Sequence, residues 1–249
     1  MLQAFDDGRL FGEAYGEGPL QVIWLHGWGR RGQDFARAAG QLAADGVASV
    51  ALDLPGFGAS PAPARAGGAR AYADVVTAAW ASTGAGPVVL VGHSFGGRVA
   101  TVVAGAHPEV VRSLVLTGTP LVRRAPAVRS PWPYRARRAL HARHLLSDRA
   151  MESARQRYGS RDYRAATGVM RDVLVATVNE SYEEEMARVR VPVRLLWGAD
   201  DTEVPVEVAE RARAAFDAGA TLAVLAGVAH FVPTEAPDQL AAAVREALG

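Results

Sequence analysis

Three kinds of side chain that can do nucleophilic or acid–base chemistry each stand just after a short apolar run. Ser94 follows Val88-Val89-Leu90-Val91 within Gly92-His93-Ser94-Phe95-Gly96. Asp200 and Asp201 follow the run from Val193 to Trp197, in Gly198-Ala199-Asp200-Asp201-Thr202-Glu203-Val204-Pro205. His230 follows the run from Thr221 to Leu225, in Gly227-Val228-Ala229-His230-Phe231. A serine hydroxyl is a poor nucleophile at neutral pH and needs a base within hydrogen-bond reach; imidazole, with an ordinary pKa near 6.5, suits that part. A carboxylate on the other ring nitrogen then fixes the tautomer and stabilises the imidazolium. Serine, acid, histidine is also the chain order of such a triad on a parallel α/β sheet. A fourth apolar run, Val22 to Leu25, empties into His26-Gly27-Trp28-Gly29.

These residues need a frame that delivers them to one edge. The β-branched run before Ser94 reads as a strand buried on both faces. Beyond Phe95 the apolar spacing changes to three and four (Val99, Val102, Val103, Ala106), which predicts a helix closed by Pro108. Strand, sharp turn and helix are the context of the G-x-S-x-G nucleophile elbow, in which Gly92, Gly96 and Gly97 supply room for the turn. The same alternation runs through the chain. After an opening hairpin about Asp7-Gly8 come a helix from Gln33 to Ala44, a strand from Val47 to Leu54, a helix from Ala71 to Ser82 and a strand from Arg112 to Gly118. It resumes with the strand at Val193, a helix from Val206 to Phe216, the strand at Thr221 and a helix from Pro237 to Leu248. Such β-α-β units predict an α/β domain with a mainly parallel sheet flanked by helices, and open parallel sheets carry their working groups at the carboxyl ends of the strands. Residues 120–190 break the rhythm: with helical spacing in Arg135–Leu146, Asp148–Tyr158 and Asp162–Val178, they read as a helical insertion between core segments 1–119 and 191–249.

Composition narrows the chemistry. With 249 residues, 49% hydrophobic and 21% charged, the chain can bury a large core, and without cysteine it has neither disulfides nor a thiolate nucleophile. Neither a signal pattern nor a membrane-length apolar run is present, so a cytoplasmic protein without membrane attachment is expected. HExxH and GxxxxGK[ST] are absent, so the reading requires no metal and no cofactor. The net charge of +1 is unevenly spread: between Leu121 and Arg171, 13 arginines face three acids, a balance of +10 against −9 elsewhere. Arginines distributed along helices fit a solvated face better than a nucleic-acid surface, and no nucleic-acid partner is expected.

On the elbow, the HGWG loop, the G-x-x-D-x-x-V-P loop and the final histidine, the chain resembles the α/β-hydrolase superfamily before Pro120 and after Val191. The resemblance implies Ser94 as nucleophile, His230 as base and Asp201 as orienting acid; Asp200 is the adjacent alternative, and spacing from Gly198 favours Asp201. It implies oxyanion donors in the backbone N–H groups of Phe95 and Trp28, and a lid in the insertion 120–190. Serine at the elbow sets the chain apart from the dehalogenases and epoxide hydrolases of the superfamily, which carry aspartate there. The expected activity is hydrolysis of a carboxylic ester through an acyl-enzyme on Ser94. Carbon–carbon bond hydrolysis, acyl transfer and a low-turnover ligand-binding receptor are the alternatives. Trp28, Phe95, Trp132, Pro133, Phe231 and Val232 suggest an apolar acyl pocket. The HGWG and DLPGFGAS loops together with such a lid are similar to esterases that trim methyl groups from pimeloyl chains on acyl carrier protein, which implies a small ester or acyl substrate and an acidic carrier protein at the Arg-rich lid. Among the other histidines, His26 is expected to brace its loop, His107 to end a helix, and His141 and His144 to face solvent. His93 is assigned no chemistry.

Overall fold

In β5 (Val88–His93) every residue is buried, as a strand covered on both faces requires. The computed structural model describes residues 1–122, 132–158 and 160–249. Around β5 lies one eight-stranded sheet, built from β1 (Leu2–Phe5), β2 (Leu10–Tyr15), β3 (Leu20–Leu25), β4 (Ala48–Asp53), β6 (Val111–Thr117), β7 (Val193–Gly198) and β8 (Ala220–Leu225). The strand order is β1-β2-β4-β3-β5-β6-β7-β8. From β4 to β8 all neighbours are parallel, while β2 runs antiparallel to both β1 and β4. The opening hairpin forms as expected, turning through Asp7 (φ 52°) and Gly8 (φ 80°).

The helices are α1 (Ala36–Ala44), α2 (Ala69–Ser82), α3 (Phe95–Ala106), α4 (Trp132–Ala142), α5 (Asp148–Tyr158), α6 (Arg161–Ala165), α7 (Gly168–Asn179), α8 (Glu183–Arg188), α9 (Val206–Ala215), α10 (Val232–Glu235) and α11 (Pro237–Leu248). The two-residue period of a strand divides the core into two layers. Ile23, Leu25 and Leu90 pack with Val76, Val99, Val103 and Val208 of α2, α3 and α9. Val22, Trp24, Val89 and Val91 pack with Leu42, Leu240 and Val244 of α1 and α11. Each such side chain contributes about 1.5–3 kcal/mol by leaving water, so this double burial holds the sheet edge rigid under the site.

The insertion differs from its sequence reading at two places. The stretch expected as one helix from Asp162 to Val178 is broken into α6 and α7: Ala166 and Thr167 are extended and Gly168 turns left-handed at φ 52°. At the other end, α8 leaves the insertion and packs on α3, where a Cβ on Gly105 would stand 2.8 Å from the Glu185 carbonyl oxygen. Tyr182, Met186 and Val189 are consequently buried in the same layer as Val99. Arg123, Arg124 and Arg129 of the basic stretch lie outside the described residues. Among the described residues no helix is long and apolar enough to cross a membrane.

The elbow is closely packed. A Cβ on Gly96 would collide with the carbonyl oxygens of Leu25 and His26, and one on Gly97 with the Thr119 hydroxyl. Gly96→Ala must therefore push α3 away from β3, and a denaturant titration is expected to show a loss of about 3 kcal/mol, the upper range for overpacking a rigid site. A variant within about 0.5 kcal/mol of wild type, as surface changes usually are, would mean that α3 can move.

Candidate active site

β5 ends at His93, and the chain turns on Ser94 at φ 49°, ψ −110°, a strained backbone for a residue with a Cβ. Two hydrogen bonds hold that turn: Ser94 N–H donates to the Thr117 carbonyl on β6 (2.9 Å), and Gly96 N–H donates to the His26 carbonyl after β3 (3.0 Å). Strain maintained in this way lifts the serine clear of the sheet and into a cavity of about 500 Å³. Gly27, Trp28, Arg30, His93, His230, Phe231 and Glu203 line it from the core, and Ser160, Arg161, Asp162 and Ala165 line it from the start of α6.

His230 stands in the loop between β8 and α10, 5% exposed, and its Nδ1–H donates to Asp201 Oδ2 at 2.8 Å. The other oxygen of Asp201 accepts the backbone N–H groups of Glu203 (2.9 Å) and Val204 (2.8 Å). All the hydrogen bonds point the carboxylate at the imidazole, leaving Nε2 as the unprotonated nitrogen. Asp200, the neighbouring alternative, is exposed, and its N–H is tied to the Val228 carbonyl. Glu203 enters from the mouth, 3.6 Å from His230 Nε2, with a side chain 62% exposed. Among the described residues no group of three or more His, Cys, Asp or Glu side chains could hold a metal ion.

A family model described as "Alpha/beta hydrolase family" matches residues 22–243. This chain belongs to the alpha/beta hydrolase family. It is 34% identical over 221 residues to a pimeloyl-[acyl-carrier protein] methyl ester esterase of Chromobacterium violaceum, covering 80% of this chain and 82% of the relative. A protein of the same name from Aromatoleum aromaticum is 29% identical over 213 residues, covering 76% of this hydrolase and 82% of its own length. In fold, the hydrolase superimposes on the esterase from Exiguobacterium antarcticum with a TM-score of 0.75 at 19% identity, across 100% of this chain and 98% of that one.

The structure brings Trp28, Ser94, His230 and Phe231 to the hydrolase's cavity, with Asp201 directly behind His230. Phe95 is 3% exposed and stacks edge-on against Trp28 (5.5 Å) and Tyr72 (5.0 Å), so its side chain supports the wall from behind. Three expected pocket residues fall elsewhere. Val232 is fully buried in the α1/α11 core layer beside Val228 and Leu240, because the short helix α10 turns it inward. Trp132 opens α4 with 76% exposure, and neither it nor the exposed Pro133 is among the residues lining the cavity. In their place stand Arg30 and the start of α6. Arg30 is held by both carboxylate oxygens of Asp34 (2.6 and 2.9 Å) and lies 4.9 Å above the Phe231 ring. That pair could be found from sequence only as an i,i+4 ion pair, and α6 was hidden by the expected longer helix.

His26 braces its loop. Its Nδ1–H donates to the Gly27 carbonyl (2.8 Å) and its Nε2 accepts Leu54 N–H (2.9 Å), so the ring joins the loops that follow β3 and β4. Burial pushes its pKa down to about 4 from the usual 6.5, and the Gly27 contact opposes that only in part. Between these two values the unfolded chain binds a proton that the folded chain refuses, so the stability this group contributes is complete above pH 6.5 and is lost as pH falls towards 4. From this group alone, urea titrations at about pH 5 are expected to show about 2 kcal/mol less stability than at about pH 7.5. His26→Gln, which carries no such proton, should flatten that slope; an unchanged slope would place the pH dependence elsewhere.

Proposed function

We propose that this hydrolase cleaves a carboxylic ester through an acyl-enzyme on Ser94. His230 takes the serine proton on Nε2 and later returns it to the leaving alcohol, while Asp201 holds the ring and stabilises the imidazolium. The observation that carries the reading is the 2.8 Å pairing of Asp201 with His230 Nδ1, beside a cavity that both His230 and the strained Ser94 turn line. As the ester carbonyl becomes tetrahedral, its oxygen gains charge and needs donors fixed beforehand. The N–H of Phe95 suits this role: it opens α3 and has no carbonyl one turn back to pair with. The Trp28 N–H, on the loop that Gly96 ties to the elbow, is the second donor.

The insertion from α4 to α7 acts as the lid, and α8 belongs to the core. Glu152 of α5 accepts from Tyr163 of α6 (2.8 Å) and Arg171 of α7 (2.8 Å), so these three helices move as a unit. The substrate suggested by the two named relatives is a methyl ester presented on an acyl carrier protein. Arg135, Arg137 and Arg138 on the exposed α4 would meet the acidic carrier.

The test is burst kinetics on p-nitrophenyl esters of graded chain length, followed by a comparison of methyl pimelate free and carrier-bound. A nitrophenol burst of one per Ser94 and a lower KM for the carrier-bound ester are expected, with KM raised by Arg135→Glu/Arg138→Glu. Turnover without any burst, in a chain whose Ser94 is not labelled by a fluorophosphonate, would remove the acyl-enzyme reading.

A further inference from the structure

A second chamber opens beside the cavity of Ser94 and His230, and one arginine belongs to both. It has a volume of about 670 Å³, and its walls include Arg30, Arg31, Gln33, Asp34, Phe57 and Thr234. Gly29 and Arg30 line both spaces, so the two meet at the loop that follows β3. The Arg30 guanidinium is pinned from two sides. Its Nε and Nη2 donate to the two carboxylate oxygens of Asp34 (2.6 and 2.9 Å), and its central carbon lies 4.9 Å from the centre of the Phe231 ring. The Phe231 and His230 rings are centred 5.2 Å apart, which keeps the guanidinium within about 10 Å of the His230 ring. The backbone is fixed as well: Arg30 N–H donates to the Gly27 carbonyl (3.2 Å), and Asp34 N–H to the Arg31 carbonyl (3.1 Å).

A guanidinium has five N–H groups, and they form two parallel pairs that can each grip a carboxylate. Asp34 takes the pair on Nε and Nη2. The other pair, on Nη1 and Nη2, has no acceptor among the described residues, and the Arg30 side chain is 37% exposed. Arg31 beside it is exposed and has no ion pair among the described residues. Asp34 is the one acid among the residues that line the chamber, and both of its oxygens are engaged, so two cations face a single occupied carboxylate. Glu203, 3.6 Å from His230 Nε2, lines the Ser94 cavity and not this chamber, so it repels an anion from the base and leaves the arginine side open to one. We infer that the chamber binds a carboxylate that the substrate carries at a distance from its reacting ester, with Arg30 gripping it through the second N–H pair and Arg31 adding charge. The inference rests on the acyl-enzyme reading above and is independent of the carrier. An extended chain advances about 1.2 Å per bond, so a linear diacid of about six to nine carbons can hold its ester at His230 and its free carboxylate at Arg30. A neutral chain end of the same length leaves that N–H pair in water and gains nothing from it.

The experiment compares kcat/KM for matched esters with and without the carboxylate. Mono-p-nitrophenyl suberate against p-nitrophenyl nonanoate puts the charge on the acyl side; the butyrate ester of 6-hydroxyhexanoate against heptyl butyrate puts it on the alcohol side. In wild type the charged ester of at least one pair should be preferred about tenfold, chiefly through KM, and that pair identifies the side. Arg30→Gln should abolish the preference. Arg30→Lys should restore only part of it, because an ammonium cannot reproduce the fork, and Arg31→Gln should lower it about twofold. If Arg30 does no more than brace its loop, Arg30→Gln slows both esters of a pair alike and the ratio stays constant, which overturns the inference. A wild type that favours the neutral ester in both pairs overturns it without any variant, so the test stands even if Arg30→Gln fails to fold. Absence of a nitrophenol burst with the nonanoate ester rejects the acyl-enzyme instead, which separates the two failures.

Discussion

Ser94→Ala is expected to lower kcat on a p-nitrophenyl ester by on the order of 10⁶, with both the burst and fluorophosphonate labelling lost. The magnitude follows from the division of labour in the site. On the proposed mechanism, there is no acyl-enzyme without Oγ, and His230 can only direct water at an ester that the proposed backbone donors still polarise. The residual rate is then set by those donors and by binding. Stability should stay close to wild type. The strain at φ 49° belongs to the backbone and to Cβ, which alanine retains, and the two bonds that hold the turn are made by the N–H groups of Ser94 and Gly96. A thermal melt within a few degrees of wild type would show that the activity is lost from a folded enzyme. If Ser94→Ala kept more than about one part in a thousand of the rate, another nucleophile or direct water attack would have to carry the reaction.

The parts of this fold that could be read in the sequence are those set by local rules. Buried parallel strands appear as unbroken β-branched runs, so β5 and β7 fall within a residue or two of their expected spans, and Pro237–Leu248 matches α11 in full. The G-x-S-x-G turn could be recognised because several tight approaches each demand a glycine there. Misreadings arise where a long-range contact decides. The stretch from Asp162 to Val178 has helical spacing throughout, yet Gly168 is free to turn left-handed, and so the break at that residue brings α6 over Ser94. Val232 and Phe231 are equally apolar neighbours, but only the turn into α10 determines that one faces the core and the other the cavity. His93 has no motif that marks it as more than a spacer. Its setting comes from register: pairing with Thr117 across β5 and β6 fixes one nitrogen, and the other is buried without a partner among the described residues.

Asp201→Asn should separate the two adjacent carboxylates more sharply than any spacing argument. Its amide oxygen would keep the bonds from the Glu203 and Val204 N–H groups, because those donors accept no substitute for an oxygen. The amide NH₂ must then face His230 Nδ1, where the carboxylate oxygen now stands at 2.8 Å. Two donors cannot share that contact, so the ring shifts its proton to Nε2 and loses the lone pair that should take the proton from Ser94. Holding the wrong tautomer costs on the order of 10⁴ in kcat, and KM should change little because the cavity walls are untouched. Asp200→Asn, by contrast, alters an exposed side chain whose backbone N–H already anchors the loop to Val228, and should leave kcat within about twofold of wild type. Equal losses in the two variants would mean that the loop, and not one carboxylate, sets the imidazole. A large loss confined to Asp200→Asn would require the loop to rearrange when substrate binds, exchanging the roles of the two acids.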